Sequence, residues 1–176
     1  MLAYETAQRT GAVAHVVVTC LLDPGDPEGM AAASRIPRIG RVPGAFLHVA
    51  GRVLGDVRIP VRWLAHADKM SRDLELTRAC LSDPRGAGAA IPLGYLTDFM
   101  TFEHRPPEAA IDTTITLAHP AADEWTPASI SLRFLERVAA LTYYEPLENC
   151  GHFPIEEPGL SRFLAVVSGA LDSAGA

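Results

Sequence analysis

Seven residues near the start of the chain, Val16 to Leu22 (VVVTCLL), are almost continuously apolar and rich in β-branched side chains. Polar residues do not alternate with apolar ones in this run. A strand that buries one face and wets the other reads apolar–polar–apolar, whereas an uninterrupted run needs cover on both faces. Such cover is the mark of a parallel sheet flanked by helices. Asp23-Pro24 ends the run. This one segment therefore predicts an α/β protein with crossover helices on both sides of its sheet.

The rest of the chain supplies some of that cover. Residues 1–10 read as a helix, with Ala3, Tyr4 and Ala7 on one side and Glu5 and Arg9 on the other. Gly11 stops it in the manner of a C′ glycine. No Ser, Thr, Asp or Asn precedes it as an N-cap, so the helix is expected to have lost its beginning. Residues 24–111 differ in character. DPGDPEG and RIPRIGRVPG read as loops, and AFLHVAGRVLG, KMSRDLELTRACLS and LGYLTDFMTFEH as helices. No strand alternates cleanly there, and the turn HRPPEAAID closes the segment.

From residue 112 onward the order is regular again. TTITLAHP is a predicted buried strand, DEWTPASISLRFLERVA a helix with Thr126 as N-cap and Pro127 near its start, and ALTYYEPLE a strand. NCGHFPIEEPG is a loop and LSRFLAVVSGAL an amphipathic helix. Three organisational segments follow: 1–23, a helical insertion 24–111, and a β-α-β-α part 112–176. Three strands make a meagre parallel sheet, so the expectation is one side of a larger one.

Composition removes several classes of function. The net charge of -6 leaves too few cations for a general nucleic-acid binder, which must neutralise phosphates. Three cysteines (Cys20, Cys80 and Cys150) do not suggest a disulfide framework, and the N-terminus lacks the basic and apolar regions of a secretory signal. Cytoplasmic residence without stable membrane insertion is the expectation. Oligomerisation as a homo-oligomer is left open. Cys150-Gly151-His152 lacks the paired spacing of a structural zinc site, and no metal is expected. His15, His48, His66 and His104 are read as surface or packing residues, and His119 as a structural group beside the turn that carries Asp123.

Open parallel sheets place their sites at the carboxyl ends of the strands. Asp23, Asp123 and His152 fall there. A carboxylate that accepts from one imidazole nitrogen fixes the tautomer and leaves the other nitrogen as a general base near neutral pH. ITLAHPAADEWTP, followed 29 residues after Asp123 by CGHFPIEEP, resembles the C-terminal part of the α/β-hydrolase superfamily. Members typically carry His-Gly-x-x-Asp with a Pro four residues on, then Gly-His-x-x before an acidic residue and Pro. Here these are His119-Pro120-Ala121-Ala122-Asp123 with Pro127, and Gly151-His152-Phe153-Pro154 with Glu156, Glu157 and Pro158. Pro120 replaces the usual Gly.

The resemblance implies a partial α/β-hydrolase fold with 24–111 as the lid, Asp123 as triad acid and His152 as base, and no cofactor. Asp23 is the alternative acid. The nucleophile should precede both inside Gly-x-Ser-x-Gly. No serine in the chain stands in that context. By this alignment the opening decapeptide MLAYETAQRT is the helix behind the nucleophile elbow, with the serine and both oxyanion amides upstream of Met1. The full-length form is expected to cleave ester or related acyl bonds of a small molecule, with an esterase- or lysophospholipase-like substrate. The chain by itself is expected to be inactive. The alternatives are a non-catalytic remnant or interaction module, and a fragment of a dehalogenase- or epoxide-hydrolase-like relative. Trp63, Tyr95, Phe99, Met100 and Phe102 are the substrate-pocket candidates, and would favour an apolar acyl or alkyl group.

Overall fold

In the computed structural model, residues 1–36, 38–109 and 112–174 are described; the predicted end of the insertion at 111 and the last two residues of the third segment lie outside them. In chain order the elements are α1 (Leu2–Thr10), β1 (His15–Val18), α2 (Pro27–Ala33), α3 (Gly44–Leu54), β2 (Arg58–Pro60), α4 (Val61–Leu64), α5 (Leu74–Ser82), β3 (Ala90–Pro92), α6 (Leu93–Met100), β4 (Thr114–Pro120), α7 (Ala128–Leu135), β5 (Thr142–Leu147) and α8 (Gly159–Ala174). The chain divides into two compact units. One comprises Met1–Leu22 with His104–Ala176, and the other Asp23–Glu103.

The first unit is built on a three-stranded parallel sheet of order β1-β4-β5. Val16 pairs with Ile115 and Val18 with Leu117 on one side of β4, and Leu117 pairs with Tyr144 on the other. One face of the sheet meets α1 and α7 in a cluster of Tyr4, Ala7, Val16, Val18, Leu21, Ile115, Leu117, Phe134, Leu135 and Val138. The other face packs Val17, Ala118, Leu147 and Cys150 against Phe163 and Val166 of α8. The apolar run is thus covered on both faces, as its composition requires.

Its strand is shorter than the run. β1 ends at Val18, and three residues later the Leu21 amide donates to Ser131 Oγ (2.9 Å) instead of to a ladder partner. That turn-out places Cys20 and Leu21 against the start of α7.

α1 has no side-chain cap at Met1 and ends at Gly11 in the left-handed region (φ 60°), a backbone conformation that glycine adopts without strain. Its faces differ from the expected division. Tyr4 and Ala7 are buried, but so is Glu5, and Ala3 is exposed. The Glu5 carboxylate accepts the Arg105 amide (3.0 Å) and the Arg9 guanidinium, which satisfies its charge. Burial alone would raise its pKa, but these bonds outweigh it and hold the group below the ordinary value. Tyr4 stands edge-on to Phe134 (ring centroids 5.1 Å, 88°), and His104 meets the same ring (5.1 Å, 76°). His104 is thereby a packing residue.

The second unit is mainly helical. A two-stranded antiparallel sheet, β2 with β3, runs through it, which the sequence did not suggest because each strand has only three residues. Asp26 and Asp73 cap α2 and α5 through their carboxylates. The capping by Asp73 starts α5 at Leu74, so the predicted helix from Lys69 begins later, after a 3-10 turn at Ala67–Lys69. An ion pair between Arg35 and Asp68 and the bond from Ser34 Oγ to the Leu64 carbonyl (2.8 Å) join distant parts of this unit.

Phe134 is 2% exposed and anchors two edge-to-face contacts. Phe134→Ala should cost about 3–5 kcal/mol, through lost transfer energy and the cavity left behind. Urea unfolding should show this as a lower midpoint at an unchanged slope.

Candidate functional site

The carboxyl ends of β4 and β5 lie side by side because the strands are parallel neighbours. Their following loops are clasped by the backbone. Ala121 donates to the Leu147 carbonyl and Ala122 to the Cys150 carbonyl, each at 2.9 Å. The clasp places Asp123, three residues past β4, opposite His152, five past β5.

Each loop is shaped by its own residues. In the first, Asp123 Oδ1 accepts the Trp125 amide (2.8 Å) and the Thr126 amide (3.0 Å), an Asx-type turn. In the second, Asn149 adopts φ 62° and its side chain donates to the Glu157 carbonyl (2.9 Å). Glu156 Oε2 accepts the Gly151 amide at 3.1 Å. Gly159 opens α8 directly under this loop. A Cβ there would lie 2.3 Å from Cys150 Sγ and 2.6 Å from the Glu148 carbonyl, so only glycine permits the approach.

The outcome is a bond of 2.8 Å between His152 Nδ1 and Asp123 Oδ2. The carboxylate accepts, so Nδ1 carries the proton and the neutral ring keeps its lone pair on Nε2. No described residue hydrogen-bonds Nε2. The Asp123 side chain is 1% exposed and that of His152 is 21% exposed, so the acid is sealed while the imidazole reaches solvent. The Trp125 ring packs beside His152, with centroids 4.7 Å apart and planes tilted by 47°.

Burial pushes the Asp123 carboxyl up, but the bonds from His152, the Thr126 amide and the Thr126 hydroxyl (2.8 Å to Oδ2) outweigh it. Its pKa therefore lies below the ordinary carboxylate value, and the group is ionised at neutral pH. His119 lies beneath the turn and is fully buried. Its Nδ1 donates to the Pro120 carbonyl (2.9 Å), and burial lowers its pKa, so it stays neutral. It packs under the turn that carries Asp123.

The remaining candidates fall elsewhere. Asp23 belongs to the second unit, where its Oδ1 accepts the Gly25 amide (2.7 Å) and its carbonyl the Asp26 amide (3.0 Å). The acid on His152 Nδ1 is Asp123. Trp63, Tyr95, Phe99, Met100 and Phe102 also belong to the second unit; all but the half-buried Met100 are exposed. Cys150 is buried, donates to the Glu156 carbonyl (3.1 Å), and has its thiol pKa raised by burial, which makes it a poor nucleophile. Among the described residues no group of three or more His, Cys, Asp or Glu is arranged to hold a metal ion.

Sequence reasoning missed Trp125 and misread Thr126. The latter does not cap α7, whose N-cap Pro127 makes no side-chain cap bond. Its hydroxyl is committed to Asp123 instead.

No protein-family profile matches the chain, and no curated protein sequence does. Among solved structures, the chain is similar to a monoacylglycerol lipase from Paleococcus ferrophilus, with a TM-score of 0.63 and 19% identity. The match covers 96% of this chain and 62% of that one, so the chain spans less than two thirds of the lipase structure. The likeness shows an α/β-hydrolase-like fold over the part spanned. No helix among the described residues is long and apolar enough to cross a membrane.

The lowered Asp123 value has a consequence for stability. The unfolded carboxyl binds its proton more readily than the folded one, with an ordinary value of about 3.9. The stabilisation by ionised Asp123 is therefore complete above that value and is lost as pH falls through the lower folded value. Asp123→Asn should depress the thermal midpoint near neutrality, and the difference from the parent should shrink on acidification below the ordinary carboxylate value. Thermal melts across that range check it.

Proposed function

We propose that Asp123 and His152 are the acid and base of a serine hydrolase that cleaves ester or related acyl bonds. The observation that carries this reading is the 2.8 Å bond from His152 Nδ1 to a sealed carboxylate, with Nε2 left open. In an acyl transfer, Nε2 takes the proton of the attacking hydroxyl and later returns it to the leaving group. Asp123 holds the tautomer and offsets the charge of the imidazolium. The fold of the similar lipase structure is consistent with this role, and an esterase- or lysophospholipase-like substrate fits it. The exposed Trp63, Tyr95, Phe99 and Phe102 of the second unit suit an apolar acyl or alkyl group.

The nucleophile is supplied by polypeptide outside these 176 residues, since none of the serines has the Gly-x-Ser-x-Gly context. Residues 24–111 are taken as the lid of the same enzyme. In triads of this kind loss of the serine alone costs on the order of a millionfold, and loss of an oxyanion donor roughly a further hundred- to thousandfold in an intact site. An isolated acid–base pair does not turn over esters at a useful rate.

Two measurements test this. The purified chain should neither hydrolyse p-nitrophenyl esters nor be labelled by a fluorophosphonate; labelling at any of its serines would overturn the account. A longer product that encodes Gly-x-Ser-x-Gly in frame before Met1 should hydrolyse such esters, and His152→Ala in it should lower kcat by about four to six orders of magnitude. An Asp in the nucleophile position would instead indicate dehalogenase- or epoxide-hydrolase-like chemistry.

A further inference from the structure

Thr126 is 3% exposed, and its hydroxyl sits within reach of three polar side chains. Oγ1 is 2.8 Å from Asp123 Oδ2, 3.2 Å from His152 Nδ1 and 3.6 Å from Cys20 Sγ. A threonine hydroxyl has one proton and two lone pairs. The carboxylate can only accept, so the proton goes to Asp123. The two lone pairs face the Nδ1–H of His152 and the S–H of Cys20.

Behind Cys20 the same direction continues. Ser131 Oγ donates to Cys20 Sγ (3.7 Å), and the Leu21 amide donates to Ser131 Oγ (2.9 Å). A chain of donors therefore runs from the backbone after β1, through Ser131, Cys20 and Thr126, to one oxygen of Asp123. That oxygen also receives His152. Bonds aligned in one direction in a buried site polarise one another and resist reversal.

We propose that Thr126 is a positioning residue for the Asp123–His152 pair, and that the Cys20–Ser131 chain behind it fixes the direction of its hydroxyl. A capping or space-filling threonine needs no such alignment, and α7 takes no side-chain cap. The Oδ2 atom carries two donors, so the carboxylate cannot rotate to offer its other oxygen without breaking both. The imidazole is held by a bifurcated contact to Oδ2 and Oγ1, which restricts its swing. His119 from the end of β4 faces the same turn but is buried and neutral, and Glu156 on the loop after His152 is engaged with the Gly151 amide.

This inference deepens the hydrolase reading, yet its test does not need turnover. In the chain as it stands, the carboxyl titration of Asp123 and the Nδ1–H proton of His152 can be followed by NMR. Thr126→Val keeps the shape and removes the hydroxyl. It should move the Asp123 midpoint upward, toward the ordinary carboxylate value, and lose or broaden the Nδ1–H resonance. Thr126→Ser should restore both, and Cys20→Ala should give a smaller shift in the same direction.

A Thr126→Val protein with an unchanged backbone spectrum, Asp123 midpoint and Nδ1–H signal would overturn the proposal. Should that variant not fold, the parent decides. Its Thr126 hydroxyl proton should exchange slowly and show a cross-relaxation contact to the Nδ1–H, and a rapidly exchanging hydroxyl would refute the assignment. Absence of esterase activity would bear on the hydrolase reading alone.

Discussion

Strand β4 has a strand on either side and is buried at six of its seven positions. Everything that positions the site hangs on that placement. Parallel pairing with β1 and β5 brings three strand ends to one edge, and burial of Ile115, Leu117 and Ala118 holds the strand in register with both neighbours. A slip of one residue would turn Leu117 and His119 to the opposite face. It would also move Asp123 out of line with His152. The site is therefore specified by the core before any of its own polar bonds form.

The clasp between the two loops completes what the strands begin. Backbone bonds from Ala121 and Ala122 fix the separation of the loops, and side-chain bonds only trim the orientation. Satisfying backbone groups in this way is obligatory once the loops are packed. The two acceptors, Leu147 and Cys150, are themselves fully buried, so their carbonyls are shielded from competing solvent although Ala121 lies at the surface. β1 contributes less to the pair's placement and more to its environment. By leaving the ladder after Val18 it delivers the Cys20 thiol to the turn that carries Asp123.

Much of this was legible in the amino-acid sequence, for identifiable reasons. The parallel sheet followed from an apolar run with no alternation. The meeting of Asp123 and His152 followed from their motifs lying after successive strands, since strand ends in such sheets converge. The less legible parts share a cause, which is competition between local bonds of similar strength. Thr126 could cap a helix or bind the acid three residues before it, and long-range contacts with Cys20 and His152 decided the matter. Glu5 looked like a solvent-facing residue until Arg105, a hundred residues away, supplied its buried partner. β2 and β3 are too short for a period-two pattern to show, and they form only because they pair.

The pair itself can be weighed for what structure alone would demand. Asp123 closes its own turn with donors from Trp125 and Thr126, and these supply three of the hydrogen bonds it accepts. A turn of this sort is complete without a histidine. Only the fourth bond comes from His152, across 29 residues of chain. An imidazole bound there loses rotamer freedom, and it stays partly open to solvent. Any residue able to fill the space beside Trp125 would serve packing equally well. What packing does not ask for is a ring whose Nδ1 is pinned to a carboxylate while its Nε2 is kept free. That combination is what the proposed proton transfer requires and a well-made turn does not.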